Sequence, residues 1–156
     1  MKSPEPPARV VLITGAAGGL GTGLIQEFAA HGWQVIAGYH QALPSTTSSQ
    51  VWPMPLDVTQ SASIAAAVRQ ALERWGRVDA LVNNAGIAAD AALWQMDSGA
   101  WDRVLDVNLK GAFLCAQAVL PAMTAQRAGH IVNLSSFSGR VGARGQANYA
   151  AAKAGL

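Results

Sequence analysis

The sequence predicts an α/β fold, a doubly wound parallel sheet, and three observations predict it. An apolar run at residues 10–13 leads directly into a glycine-rich turn, residues 14–21, and then into a segment of helical periodicity. Short apolar runs keep alternating with such segments along the chain, which is the pattern of strands joined by crossover helices. The composition, 51% hydrophobic and only 13% charged, suits a sheet covered on both faces.

Residues 10–13 are the first strand. Leu20, Leu24, Ile25 and Phe28 then repeat at helical spacing, so a helix starts near Gly19 and ends near His31-Gly32, where glycine suits the C-terminal cap. Residues 35–37 form a second strand. Residues 41–50 are polar, with Pro44 and a Ser/Thr run and no helical period, so a loop must carry the crossover that is usually a helix. The third strand follows at 51–54. Thr59 is the expected N-cap of a helix that buries Ile64, Val68, Ala71, Leu72 and Trp75 and stops at Gly76. Residues 80–82 are the fourth strand. A long helical pattern over about residues 97–125 puts Trp101, Val104, Leu105, Leu109 and Phe113 on one face, and Pro121 is expected to kink it. Residues 130–134 make a fifth strand, 135–145 a loop, and residue 147 opens a last helix.

One domain is expected from 156 residues, enough to bury roughly 70% of the unfolded surface. It should cover residues 9–156, behind a disordered tail at 1–8 that contains three prolines. A net charge of +2 with no basic run leaves no electrostatic footprint for nucleic acid. The single cysteine, Cys115, excludes an internal disulfide framework and a cysteine-rich metal site, and its apolar helical setting marks a packed thiol. Prolines, glycines or charges interrupt each apolar stretch within about ten residues, so none is expected to span a membrane. The opening lacks the pattern of a signal peptide, so a cytoplasmic chain is expected. Asn133-Leu134-Ser135 matches a glycosylation sequon but falls in what reads as a buried strand.

Two constellations carry chemistry. Glycines in residues 14–21 let the main chain approach a ligand closely, and the helix that follows aims free N–H groups and a positive dipole end at the same place. A strand, glycine turn and helix start in this order receive a dinucleotide pyrophosphate. The spacing is Thr14-Gly15-x-x-x-Gly19-x-Gly21, not G-x-G-x-x-G. In the last helix Tyr149 and Lys153 lie four apart and share a face. An ammonium beside a phenol favours the phenolate, so such a tyrosine can move a proton near neutral pH.

Taken with Asp57-Val58, Asn83-Asn84-Ala85-Gly86, Asn108 within Val107-Asn108-Leu109-Lys110-Gly111, and Ser136, these motifs resemble the short-chain dehydrogenase/reductase family in order and spacing over nearly the whole chain. The resemblance implies a Rossmann-type sheet in strand order 3-2-1-4-5, lacking the family's last two strands. It implies Tyr149 as general acid, Lys153 as the group that favours the tyrosinate and holds the nicotinamide ribose, and Ser136 as donor to the reacting oxygen. Asn108 would hold a water between Lys153 and solvent, in backbone distorted to admit it. Ser135 rivals Ser136, and the family spacing to Tyr149 favours Ser136.

The same resemblance gives Thr14, Gly15, Gly19, Leu20 and Gly21 to the pyrophosphate turn, Asp57 and Val58 to the adenine, and Asn84, Ala85 and Gly86 to the adenosine ribose. Asn83 reads as a tie between strands. No Asp or Glu stands at the end of the second strand to bind a ribose 2′-hydroxyl, which favours NADP(H) over NAD(H), with His40 as phosphate partner. Among subgroups the chain looks like the reductases of 3-oxoacyl thioesters of acyl carrier protein or coenzyme A, through Gly86-Ile87, Asp90, Leu93, Met96, Trp101-Asp102 and the run from Gly145 to Tyr149. Arg127 matches a position where such enzymes meet the acidic carrier. Homologues form dimers or tetramers through the Asn108 and Tyr149 helices.

The match departs from the family in two places. The loop at 41–50 leaves one face of the sheet thinly covered. The sequence also ends three residues after Lys153, where family members continue, so it is expected to be the N-terminal part of a longer reductase with its fifth strand as an unpaired edge. Two other readings stand: a family member acting on a different alcohol or ketone, and a non-catalytic nucleotide-binding fragment.

Overall fold

The computed structural model describes residues 8–46 and 48–156. The tail expected at 1–8 therefore falls, for residues 1–7, outside the described residues. Strands β1 (Val10–Ile13), β2 (Gln34–Tyr39), β3 (Val51–Pro55), β4 (Ala80–Asn83) and β5 (His130–Asn133) form one parallel sheet in the order β3-β2-β1-β4-β5. Helices α1 (Gly19–Ala30), α2 (Ser61–Trp75), α3 (Ser98–Leu105), α4 (Gly111–Gln126), α5 (Ser138–Val141) and α6 (Ala147–Gly155) complete it.

β1 is buried along its whole length because α1 covers one face and α2 with α4 the other. Its alternating side chains feed two cores. Val10 and Leu12 join Ile64, Val68, Cys115 and Val119, while Val11 and Ile13 join Ile25, Val35 and Val82. The Cys115 thiol is fully buried, and burial pushes its pKa up to about 12, so it is a packed group. The described residues of the crossover, 41–46 and 48–50, form a loop, and a cavity of about 510 Å³ opens where it meets α1.

Five local expectations need correction. Thr59 is not the N-cap of α2: Gln60 holds that place, because the Asp57 carboxylate captures both the N–H and the hydroxyl of Thr59. Leu20 is exposed, so the inner stripe of α1 runs through Leu24, Ile25 and Phe28. Phe113 is 59% exposed, not aligned with Val104. Residues Asp106–Lys110 form a π turn between α3 and α4, and its extra residue rotates everything downstream by about 100°, so that Ala112, Cys115, Val119 and Met123 face the core. The segment 135–145 contains the short helix α5. Finally, β5 is exposed along its length, so the Asn133-Leu134-Ser135 sequon does not lie in a buried strand.

The long helix Ser98–Gln126 continues past Pro121 and is, by length and composition, apolar enough to cross a membrane, contrary to expectation. Its apolar side chains Val104, Cys115 and Val119 are spent inside the fold.

Candidate functional site

The glycine turn is locked to the end of β4 by one side chain. Thr14 is buried, and its Oγ1 accepts the N–H groups of Asn84 and Ala85 at 3.1 and 3.0 Å while it donates to the Val82 carbonyl at 3.4 Å. Asn84 replies through Nδ2, which donates to the carbonyls of Thr14 and Gly15. Gly15 has φ +63°, and a β-carbon there would lie 2.7 Å from the Ala85 Cα; one on Gly21 would lie 2.6 Å from the Gly15 carbonyl oxygen. The turn is thus held as a compact cradle. At its rim α1 begins with no side-chain cap and no acid in its first turn, leaving N–H groups and the positive dipole end for an anion.

A cavity of about 360 Å³ runs from this cradle to Tyr39 and His40 at the end of β2. A second, of about 490 Å³, runs from Leu20, Asn84 and Gly86, which line both, to Ser136, Tyr149 and Lys153. Together they make one trough over the C-terminal ends of the strands, the ligand crevice of such sheets. His40 Nε2 lies 3.7 Å from Asp57 Oδ2. Burial works to raise the Asp57 carboxyl, but the Thr59 hydrogen bonds and His40 hold it below its ordinary range. Of the predicted site residues, Thr14, Asp57, Val58, Ala85 and Asn108 line neither cavity; Val58 is buried, with its Cγ2 2.9 Å from the point where a β-carbon on Gly111 would stand.

At the other end, the π turn aims Asn108 inward. It is 1% exposed; Nδ2 donates to the carbonyls of Ile87 and Val104 at 2.8 and 2.9 Å, and Oδ1 is buried without a partner. A β-carbon on Gly86 would lie 2.6 Å from that oxygen and 3.6 Å from Lys153 Nζ, so both polar atoms face the same small space. Lys153 Nζ donates to the Leu134 carbonyl at 2.7 Å and lies 5.7 Å from the centre of the Tyr149 ring. Burial pushes the lysine pKa down.

The serines sort themselves by where their protons go. Ser135 Oγ donates to the Lys153 carbonyl at 2.6 Å, and Ser138 Oγ donates to Gln146 Oε1 at 2.9 Å; both acceptors are carbonyl oxygens, so both protons are committed. Ser136 Oγ accepts the Ser138 N–H at 3.2 Å and keeps its proton free. Sequence reasoning gave Ser138 and Gln146 no site role, because the bonds that place them join residues 8 and 56 positions apart. Asn83 does tie strands, donating through Nδ2 to Asn133 Oδ1 at 2.8 Å and to the Ala112 carbonyl at 3.3 Å. Among the described residues no group of three His, Cys, Asp or Glu could hold a metal ion.

Comparison with known proteins adds the following. The family model described as short chain dehydrogenase matches residues 9–156. A 3-oxoacyl-(acyl-carrier-protein) reductase FabG of Thermotoga maritima is 46% identical over 156 residues, which is 95% of this chain and 63% of the relative. A 3-oxoacyl-(acyl-carrier-protein) reductase of Synechocystis sp. is 36% identical over 96% of this chain and 64% of its own. The FabG of Staphylococcus aureus strain Mu50 is 38% identical over 93% and 63%. The chain therefore spans less than two thirds of the length of these curated relatives.

Proposed function

Because the chain belongs to the short chain dehydrogenase family, we propose that residues 9–156 are the nucleotide-binding and proton-transferring domain of an NADPH-dependent reductase that converts 3-oxoacyl thioesters to 3-hydroxyacyl thioesters. The relatives are named for a 3-oxoacyl substrate on acyl carrier protein, and coenzyme A thioesters share its chemistry. The observation that carries this reading is the one uncommitted serine proton, on Ser136, in the same cavity as Tyr149 and Lys153.

The uncapped α1 terminus, the cradle that a β-carbon on Gly21 would fill, and the orphaned Asn108 Oδ1 all fit a bound nicotinamide dinucleotide. When bound, that group supplies the hydride. Gly15, Gly19, Leu20 and Gly21 hold its pyrophosphate, Thr14 fixes the turn, and Asn84, Ala85 and Gly86 support the adenosine ribose. Asp57 and the main chain at Val58 meet the adenine. His40 takes the 2′-phosphate, since no acid stands at the end of β2 itself.

In the reaction Tyr149 gives its phenolic proton to the substrate carbonyl oxygen, and Ser136 donates a hydrogen bond to the same oxygen as charge develops there. Lys153 holds the nicotinamide ribose. Asn108 Oδ1 accepts from a water that returns a proton through Lys153. The reading also gives Arg127, exposed at the left-handed C-terminal end of α4, to an acidic carrier protein, and gives the Asn108 and Tyr149 helices to a cytoplasmic homodimer or tetramer.

The test is loss of NADPH absorbance with acetoacetyl-CoA. Tyr149→Phe is expected to lower kcat by about 10²–10⁴-fold with NADPH affinity little changed. A second reading, nucleotide binding without turnover, needs only the glycine cradle and the uncapped α1 terminus. NADPH binding with no turnover in the parent would select it, and no binding would overturn both.

A further inference from the structure

Asp90, Gln146 and Ser138 form a chain of hydrogen bonds whose direction is fixed from its outer end. The Asp90 carboxylate can only accept, so the 3.0 Å contact turns Gln146 Nε2 toward Asp90 Oδ2. That orients the amide. Gln146 Oε1 then faces Ser138, and the 2.9 Å contact uses the serine proton. Ser138 therefore turns only oxygen lone pairs toward the cavity it lines. Ser136, two residues earlier, has the opposite polarity: its oxygen is engaged by the Ser138 N–H and its proton is free. The cavity thus presents a donor and an acceptor side by side. Main-chain contacts hold this polarity in place, since the Ala91 N–H donates to the Gly145 carbonyl at 2.9 Å and Asn148 Nδ2 donates to the Ala89 carbonyl at 3.0 Å, pinning the Asp90 loop against the start of α6.

We propose that Ser138 determines specificity as the acceptor for a substrate N–H, and that in an acyl thioester this donor is the amide N–H of the cysteamine unit on the sulfur. Asp90 and Gln146 are positioning residues that set which way the serine proton points. The inference rests on the thioester reading. It adds that the site recognises the arm beyond the sulfur as well as the reacting carbonyl.

The test compares two ligands of the same shape: acetoacetyl-N-acetylcysteamine thioester and acetoacetyl-S-(2-acetoxyethyl) thioester, in which oxygen replaces the N–H. Affinities are read by NMR titration of the 156-residue chain with NADP⁺ present, separately from turnover with NADPH. The amide ligand is expected to bind about 3- to 10-fold more tightly, the worth of one hydrogen bond. Ser138→Ala should bring the ratio to about one. Asp90→Asn, which keeps side-chain size but lets the Gln146 amide turn over, should reduce the ratio without weakening the oxygen ligand, whose ester oxygen can accept the serine proton so released. A merely structural Asp90 would weaken both ligands together. A parent ratio near one, or a ratio that survives both substitutions, overturns the proposal. Absence of turnover alongside a ratio that responds to Ser138→Ala would sink the reductase reading and leave the acceptor standing.

Discussion

The two edges of the sheet are finished differently. On β3, the Leu56 N–H donates to the Tyr39 carbonyl and the Gln50 carbonyl accepts from Val35, so even-numbered residues pair with β2 and residues 51, 53 and 55 turn their main chain outward. Two of those three are Pro53 and Pro55, which have no N–H to offer another strand. On β5, the N–H groups of His130 and Leu134 pair with the carbonyls of Asp79 and Asn83, so the main chain at Ile131 and Asn133 faces away. No proline blocks this edge, and the Ile131 and Val132 side chains are exposed. One edge is closed by its own sequence and the other invites pairing. The end of the trough lined by Tyr149 and Lys153 is built beside the second kind, since Leu134, Ser135 and Ser136 follow β5 directly.

The largest effect should come where the open edge joins the centre. Asp79 is buried and accepts the Val10 N–H and two bonds from Arg77, while its carbonyl opens the β4–β5 ladder. Asp79→Ala strands a guanidinium and a buried N–H, and should cost about 3–5 kcal/mol in denaturant unfolding. Hydrogen exchange should rise at β5 and β1 before β3; equal loss at both edges would contradict the contrast drawn above. Burial works to raise the Asp79 carboxyl, but the Arg77 and Val10 hydrogen bonds outweigh it and hold the pKa below the ordinary value. With the folded pKa depressed, this stability is present above the unfolded pKa of about 3.9 and lost as pH falls through the folded value. Asp79→Asn should flatten the acid limb of the stability profile.

Much of this architecture is legible in the sequence because its signals are local. Glycine after an apolar run marks the β1 turn, the polar run at 41–50 marks the missing crossover helix, and Gly76 ends α2 in the left-handed conformation. What was not legible depends on partners far away in sequence or on one-residue irregularities. The periodicity reading of Phe113 fails because an α-helical count cannot see the π turn at Asp106–Lys110. Thr59 fails as a cap because Asp57 offers it a better partner. The hydroxyls of Ser135 and Ser138 donate to the Lys153 carbonyl and the Gln146 amide, partners that no window around the serines contains.

A smaller effect is expected from the side-chain tie across the open edge. Asn83→Leu removes the bonds to Asn133 and Ala112 and also an Asn83 Oδ1 that is buried without a partner, so gain and loss partly offset. A net cost of about 1–2 kcal/mol should result, with exchange at β5 rising and β3 unaffected. A change confined to β3 would show that the tie does not belong to the open edge.

The smallest effect on stability, and the sharpest test of the contrast, comes from exchanging the character of the two edges. Pro53→Val restores an outward N–H and a β-branched side chain at an extended position, so folding stability should move by less than about 1 kcal/mol. Its consequence lies between molecules. The β3 edge becomes a pairing template, and self-association measured by sedimentation velocity should increase with protein concentration. Ile131→Lys should act in the opposite sense, lowering association by putting a charge on the exposed apolar edge. If Pro53→Val leaves association unchanged, the prolines do not protect β3, and the difference between the edges must come from the exposed apolar side chains of β5 alone.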